Sequence, residues 1–454
     1  MVLVLTMVVL QSISFSNYAL TTKTTNIIYG SAPYLTFDGG RTRVTNTEAL
    51  LWISLSDGRK FTPTTNNSSS TNPIDLPVVG QSFNDIGMLV PTDTNSIALS
   101  SLIGTPYNYW GDDDGDGQGV NGVTATGSLN LFIHDKDGYR IARNEVLDIC
   151  NKAPYRLTLV NSEGTLTTRY GVPNESRFTA GYADYYINPK LVPVICYARP
   201  DLGDGNSRQG ISAAVWDFMK GFLPQSFTPS SYGLNFPTTG ANNLYFDLLI
   251  GGVSQALSWA PVSHGGITAT MTDSTSTSVR VTLTGPVATP SQWSSDNPGQ
   301  IDRLSLPQTF ELVGRDSSGN AVVKYGFELK QWFVNRGNAV VNYSSAESWC
   351  NKIGGYRLPK IKDLTNTSLI VSGSQMGATP SSEFVFYKRH IGAGFFTEWG
   401  PMRDYTDASF NMEDYWTADF WSNDYHSPFL VSPTEGGVGP SSWNGRYSVL
   451  CVYP

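Results

Sequence analysis

The stretch "NYSSAESWCNKIGGYRLPKIKDL" (342–364) decides how the end of this chain folds. Its first half reads as a helix. Ser344 or Ser345 is placed to cap it, Glu347 falls in the first turn, and Gly354-Gly355 ends it. The run from Pro359 to Leu364 opens a second helix. Part of the string occurs twice, as "ICNKAPYRLT" (149–158) and "WCNKIGGYRL" (349–358). The two copies contain two of only four cysteines.

The simplest cysteine pairing is local: Cys150 with Cys196, and Cys350 with Cys451, one cystine in each half. Four buried thiols are the alternative. No Cys/His cluster has zinc spacing. Cystines closing loops of this size stabilise a fold by about 3–5 kcal/mol, mainly by restricting the unfolded chain.

The composition agrees with an oxidising compartment. Charged residues make up only 15% of the 454, and the net charge is −8. Ser, Thr, Asn, Gly and aromatic residues fill the gap, which favours short strands joined by turns. The lack of a basic stripe argues against nucleic acid as a partner. No window has the length of a mature transmembrane helix, which argues against stable membrane insertion. The first residues, "MVLVLTMVVLQSISFSNYA", run apolar from Val2 to Leu10 and then small and polar to Ala19. This predicts a signal peptide over 1–19, with a buried first strand as the alternative.

Most of the remaining chain reads as strands. "GSLNLFIHDKDGYRIARNEV" (127–146) predicts a hairpin turning at Lys136-Asp137-Gly138. "FELVGRDSSGNAVVKYGFELKQWFV" (310–334) predicts another, turning at Ser317-Ser318-Gly319-Asn320. In "ITATMTDSTSTSVRVTLTG" (267–285), Val279, Val281 and Leu283 share one face. Such spacing indicates an immunoglobulin-like sandwich. The polar run "TPTTNNSSSTNP" (62–73) reads as a surface loop or flexible insertion. "AAVWDFMKGFLPQSF" (213–227) reads as a helical turn within a packed connector.

Ala346-x-x-Trp349-Cys350, Gly355-Tyr356-Arg357-Leu358-Pro359, Tyr415-Trp416-Thr417 and the closing Cys451 together resemble the C-type-lectin-like modules of enterobacterial adhesins of the invasin and intimin families, and of related Salmonella-type repeat proteins. The stretches 235–252 and 305–337 resemble the immunoglobulin-like module that precedes the lectin-like one there. The resemblance is strong over 215–454 and weak over 25–200. It implies a mainly β protein of tandem immunoglobulin-like modules ending in a C-terminal α+β lectin-like domain. The expected divisions are a module with a cystine over 20–200, a connector over 201–235, an immunoglobulin-like domain over 236–338 and a lectin-like domain over 339–454. It also implies a secreted, extracellular bacterial protein that binds a protein partner, either on a host surface or co-secreted. The chain reads as a freestanding passenger exported by a separate outer-membrane barrel, because 20–200 lacks the alternating segments of a barrel.

The family's sugar-binding relatives outside the adhesins hold calcium with Glu-Pro-Asn or Gln-Pro-Asp loops. Those loops are missing here, and "WSND" (421–424) carries an extra Ser, which argues against sugar held through calcium; a calcium-dependent glycan-binding lectin and a structural β-stalk without ligand are the alternatives to a protein-binding role. Calcium has another candidate site. Asp112, Asp114 and Asp116 with Gly117 match the start of a calcium loop, but Val123 stands where a bidentate Glu would close it. A solvated acidic turn is the alternative. No enzyme motif appears, and His134, His264, His390 and His426 are scattered. The aromatic residues from Phe395 to Tyr425 either fill a loop-rich core or anchor an interface. The interface candidates are Trp421 and Tyr425, then Phe420, with Arg403 and Asp404 as a polar rim.

Overall fold

The computed structural model describes residues 29–44, 47–115, 122–421, 427–441 and 444–454. The expected signal peptide lies outside them. The chain is mainly β and divides into two compact units. The first is built from residues up to Leu147 together with Lys152–Pro189. The second takes Lys190–Pro454 and also Asp148–Asn151. Among the described residues no helix is long and apolar enough to cross a membrane.

In the first unit, Ser128–His134, Tyr155–Asn161 and Gly181–Asn188 form the middle of a five-stranded sheet. Alternation sets its faces. Leu131, Ile133, Leu157, Leu159, Tyr185 and Ile187 are buried with Leu51, Ile53, Phe83 and Leu102. The expected hairpin over 127–146 is cut short. The Asp135 N–H donates to the Tyr139 carbonyl (2.9 Å), and a bridge joins His134 to Arg140. The long partner of Ser128–His134 is then Tyr155–Asn161. The polar run 62–73 is not loose. Asn66 Nδ2 donates to the Asp184 carbonyl (2.7 Å), and the Tyr186 N–H donates to Ser68 Oγ (3.0 Å). These side chains satisfy the edge of the strand Gly181–Asn188 as a neighbouring strand would, and Ile74–Asp75 continues along the same edge.

The second unit contains a β-sandwich. Val194–Arg199, Leu244–Gly251, Ser278–Thr284, Ile267–Thr272 and Val262–His264 lie in one sheet. Gln308–Arg315 and Ala321–Leu329 lie in the other, and turn as expected over 316–320. Val279, Val281 and Leu283 are fully buried on the inner face. Phe246 meets Phe327 edge-on with ring centroids 6.0 Å apart, and Phe310 stacks on Phe327 at 5.1 Å. The free edge of Ala321–Leu329 is covered by the 3-10 helix Pro229–Leu234, whose Tyr232 ring occupies the space a side chain at Gly326 would need. The expected helical turn at 213–227 is instead a hairpin of Trp216–Asp217 and Gly221–Phe222. Asp217 Oδ1 accepts from the N–H groups of Met219 and Lys220, which closes a tight turn and leaves no helix to start.

The C-terminal region of this unit is a six-stranded sheet. The long strand Gln331–Val341 pairs with the final strand Tyr447–Tyr453. The helix Tyr343–Lys352 follows as expected, but its cap is Asn342, whose side chain accepts from the Ser345 N–H (3.0 Å). Asn342 keeps extended backbone angles, whereas Ser344 and Ser345 are already helical. Gly354 and Gly355 end the helix with φ of 105° and 92°. The second helix is a single turn, Ile361–Leu364.

Both expected cystines are present, Cys150–Cys196 and Cys350–Cys451. The expectation of one in each half is corrected, because both lie in the second unit. Cys196 is on a strand paired with Leu244–Gly251, and Cys150 belongs to the short segment that the second unit borrows. The doubled string is a sequence echo without a shared fold. Its first Cys-Asn-Lys lies in a turn that leads into a strand at Tyr155, and its second lies in a helix.

Candidate functional site

The aromatic residues near the C-terminus separate by burial. Phe395, Phe396, Trp399, Tyr415 and Trp416 are fully buried. Trp416 Nε1 donates to the Val341 carbonyl (2.8 Å), so even its polar edge is satisfied inside. Phe420 is half-buried against Tyr343, with centroids 5.3 Å apart. Trp421 is 51% exposed. It stands where the hairpin of Tyr415–Phe420 and Pro428–Val431 begins to turn. Its N–H donates to the Ser427 carbonyl (2.8 Å), and its ring leans on Phe429 at 5.6 Å. Tyr425 lies outside the described residues.

Arg403 and Asp404 do not form a rim around Trp421. They lie in a 3-10 turn anchored by the Met402 N–H on the Pro433 carbonyl, beyond the opposite end of the strand Pro428–Val431. Arg403 turns instead to Asp204 (2.7 Å) and holds that carboxyl below its usual range. Residues 384–388, with the neighbouring segment 368–370 that the Ser368 N–H ties to the Phe384 carbonyl (2.8 Å), carry an apolar surface that the sequence did not single out. Ile370, Phe384 and Val385 are exposed. Phe384 is stacked on Phe386 at 5.4 Å, with the Lys388 ammonium 4.2 Å from its ring.

Two buried charged residues hold this region in place, Glu398 at the edge strand Thr239–Ala241 of the six-stranded sheet and Arg389 against Trp216 of the sandwich, and sequence reasoning missed both. Glu398, in the helix Phe395–Trp399, accepts from Thr238 N–H (3.1 Å) and Oγ1 (2.8 Å), Thr239 N–H (3.0 Å) and Oγ1 (2.6 Å), and Gly392 N–H (2.8 Å). Arg389 donates to the carbonyls of Ser207 (3.2 Å), Glu398 (2.7 Å) and Asp201, and its guanidinium lies 4.6 Å from the Trp216 ring. The one sequence signal for Glu398 was its position within "GFFTEWG" (394–400), flanked by aromatic residues on both sides.

Burial is the largest influence on Glu398 and raises its pKa, against the lowering effect of its donors. A raised folded-state value means that folding is favoured below the ordinary glutamate range. That contribution is lost as pH rises through the folded value. The gap in melting temperature between the native chain and Glu398→Gln is therefore expected to be largest near the ordinary glutamate pKa and to narrow toward neutral pH. Thermal melts across that range check this, and a gap that widens with pH refutes it.

At the acidic loop, Asp112 and Asp114 are described and Asp116 is not. Asp114 Oδ2 accepts from the Ser31 N–H (2.8 Å). Asp113 pairs with Arg43 and accepts from Tyr34 Oη (2.9 Å). Among the described residues no three carboxylates, imidazoles or thiolates converge as a metal site.

A 119-residue part of the chain is 33% identical to the inverse autotransporter adhesin YeeJ of Escherichia coli K12. Over that part the chain is similar to an adhesin. The aligned part is 24% of this chain and only 4% of that curated relative. No family profile matches the chain. Among solved structures, invasin, described as a bacterial integrin-binding protein, is 12% identical. It covers 74% of this chain and 52% of its own, with a TM-score of 0.36. A 282-residue C-terminal fragment of intimin, solved with the intimin-binding domain of the translocated intimin receptor, is 12% identical. It covers 74% of this chain and 95% of its own, with a TM-score of 0.31.

Proposed function

We propose that the chain is a secreted bacterial adhesin whose C-terminal region binds a protein partner through a surface anchored by Trp421. The observation that carries this is the contrast within one aromatic cluster. Phe395, Phe396, Trp399, Tyr415 and Trp416 are fully buried and Phe420 is half-buried, while Trp421 is held open to solvent on a strand end with its ring braced by Phe429. A braced, exposed tryptophan loses little conformational freedom on binding, which is the character of an interface hot spot. The kinship with YeeJ supports adhesion, and two cystines fit an extracytoplasmic compartment. The partner is a host surface protein or a co-secreted bacterial protein. Export through a separate outer-membrane barrel is part of the same proposal, and unchanged amounts in the medium after deletion of that barrel defeat it.

The full chain, fluorescently labelled, is expected to bind host cells and to lose that binding when the cells are treated with protease. Trp421→Ala is expected to weaken it by about tenfold or more. Ile370→Ser/Val385→Ser serves as the comparison on the other apolar surface. Binding that survives Trp421→Ala but fails in the second variant moves the interface there. Absence of binding to host cells together with failure to capture a protein from the bacterial culture medium favours a structural stalk.

A further inference from the structure

The outer face of the five-stranded sheet in the first unit has a composition unlike the rest of this acidic chain. Directly paired residues share a face. The register therefore lines up Arg140, His134, Arg156 and Tyr186 in one row across four neighbouring segments. Arg140 and Arg156 make no hydrogen bond or ion pair among the described residues. The next rows present Phe132, 40% exposed, and Tyr182, 71% exposed. Tyr182 and Tyr186 are four residues apart on one strand, about 13 Å, and Phe132 lies two strands away, about 10 Å. One carboxylate, Asp184, shares these rows, and it already accepts from Thr158 Oγ1 (2.5 Å). Two unpaired guanidiniums thus outweigh one engaged carboxylate.

We propose that this face binds an acidic polysaccharide, with sugar rings lying on Tyr182 and Phe132 and sugar carboxylates held by Arg156 and Arg140. The charge of the row calls for an anion, and a planar guanidinium matches a carboxylate with two parallel hydrogen bonds. The electron-rich faces of exposed rings attract the C–H faces of a sugar by the same quadrupole that attracts cations. A peptide joining by strand addition fits less well. The edge it would need beside Gly181–Asn188 is already satisfied by Asn66, Ser68 and Ile74–Asp75. The open sheet face takes a flat chain of rings instead.

The test is affinity electrophoresis of the full chain at low salt in gels holding polygalacturonate, alginate or hyaluronan, followed by calorimetry with the matching oligosaccharide. Retardation is expected with at least one polymer and is expected to vanish when its carboxyl groups are reduced. Arg156→Glu and Tyr182→Ala are each expected to weaken binding by about tenfold. Both side chains are exposed, so the melting temperature stays unchanged and loss of binding is not loss of fold. Three results overturn the proposal: no retardation by any of the three polymers, retardation that persists in both variants, or equal retardation by polyglutamate with no effect of Tyr182→Ala. The last would identify plain charge attraction by an acidic protein or peptide.

Discussion

Replacing Glu398 by alanine is expected to destabilise the second unit by about 3–5 kcal/mol. The carboxylate takes five donors in a site sealed from water. The two threonine hydroxyls can rotate toward other acceptors, but the N–H groups of Thr238, Thr239 and Gly392 cannot. Each buried donor left unsatisfied costs about 1–3 kcal/mol. Relief of the buried charge offsets part of this, since burial already disfavours ionised Glu398. The damage is expected to spread. The strand Thr239–Ala241 runs parallel to the start of Gln331–Val341, and Trp399 Nε1 donates to the Thr239 carbonyl (3.0 Å). Losing Glu398 therefore loosens both the edge of the six-stranded sheet and the aromatic core behind it. Calorimetry is expected to show the second unit's transition lowered by about 10 °C, with Glu398→Gln less affected. A shift of alanine below about 2 °C would show that Thr238 and Thr239 find other partners.

Removing both cystines is expected to weaken the second unit and spare the first. By loop length alone, the 46-residue separation of Cys150 and Cys196 contributes about 4 kcal/mol, and the 101-residue separation of Cys350 and Cys451 about 5 kcal/mol. The decisive variant is Cys150→Ala/Cys196→Ala. If that cystine stapled the amino-terminal half, as its position in the sequence suggests, hydrogen exchange would rise in peptides from 155–188. The structure places both sulfurs among residues of the second unit, with Gly251 packed against Cys196 Sγ. Exchange measured by mass spectrometry is therefore expected to rise around 194–199 and 244–251, while 155–188 stays protected. Increased exchange confined to 155–188 refutes this assignment.

The two results concern residues of very different legibility. Cysteines announce themselves, and their local pairing followed from number and order. Which unit each pair would staple did not follow, because a strand's partner is a property of the sheet it joins. Glu398 gave almost no signal. A glutamate among aromatic residues reads the same whether it faces water or five donors. Trp421 was legible as an aromatic residue in a polar setting, but the structure sets Arg403 and Asp404 apart from it. Arg403 and Asp404 are close to it in sequence and lie beyond the far end of the adjacent strand. The hairpin 310–334 was read correctly because its turn residues act locally. In 127–146 the turn at 136–138 forms but the hairpin stays short, because a longer partner, Tyr155–Asn161, competes for the same strand.

The sequence by itself pointed to the strand-rich character of the chain, the helix that ends at Gly354, the simplest cystine pairing and the resemblance to invasin-type modules. These depend on period, turn chemistry and residue type, all of which act over a few residues. Only the tertiary structure decided which aromatic residues are core, which charges are buried, where both staples lie and which sheet face gathers two unpaired arginines. Those properties belong to groups brought together across tens to hundreds of residues. Burial and hydrogen-bond satisfaction are set by that company, and residue order does not carry it.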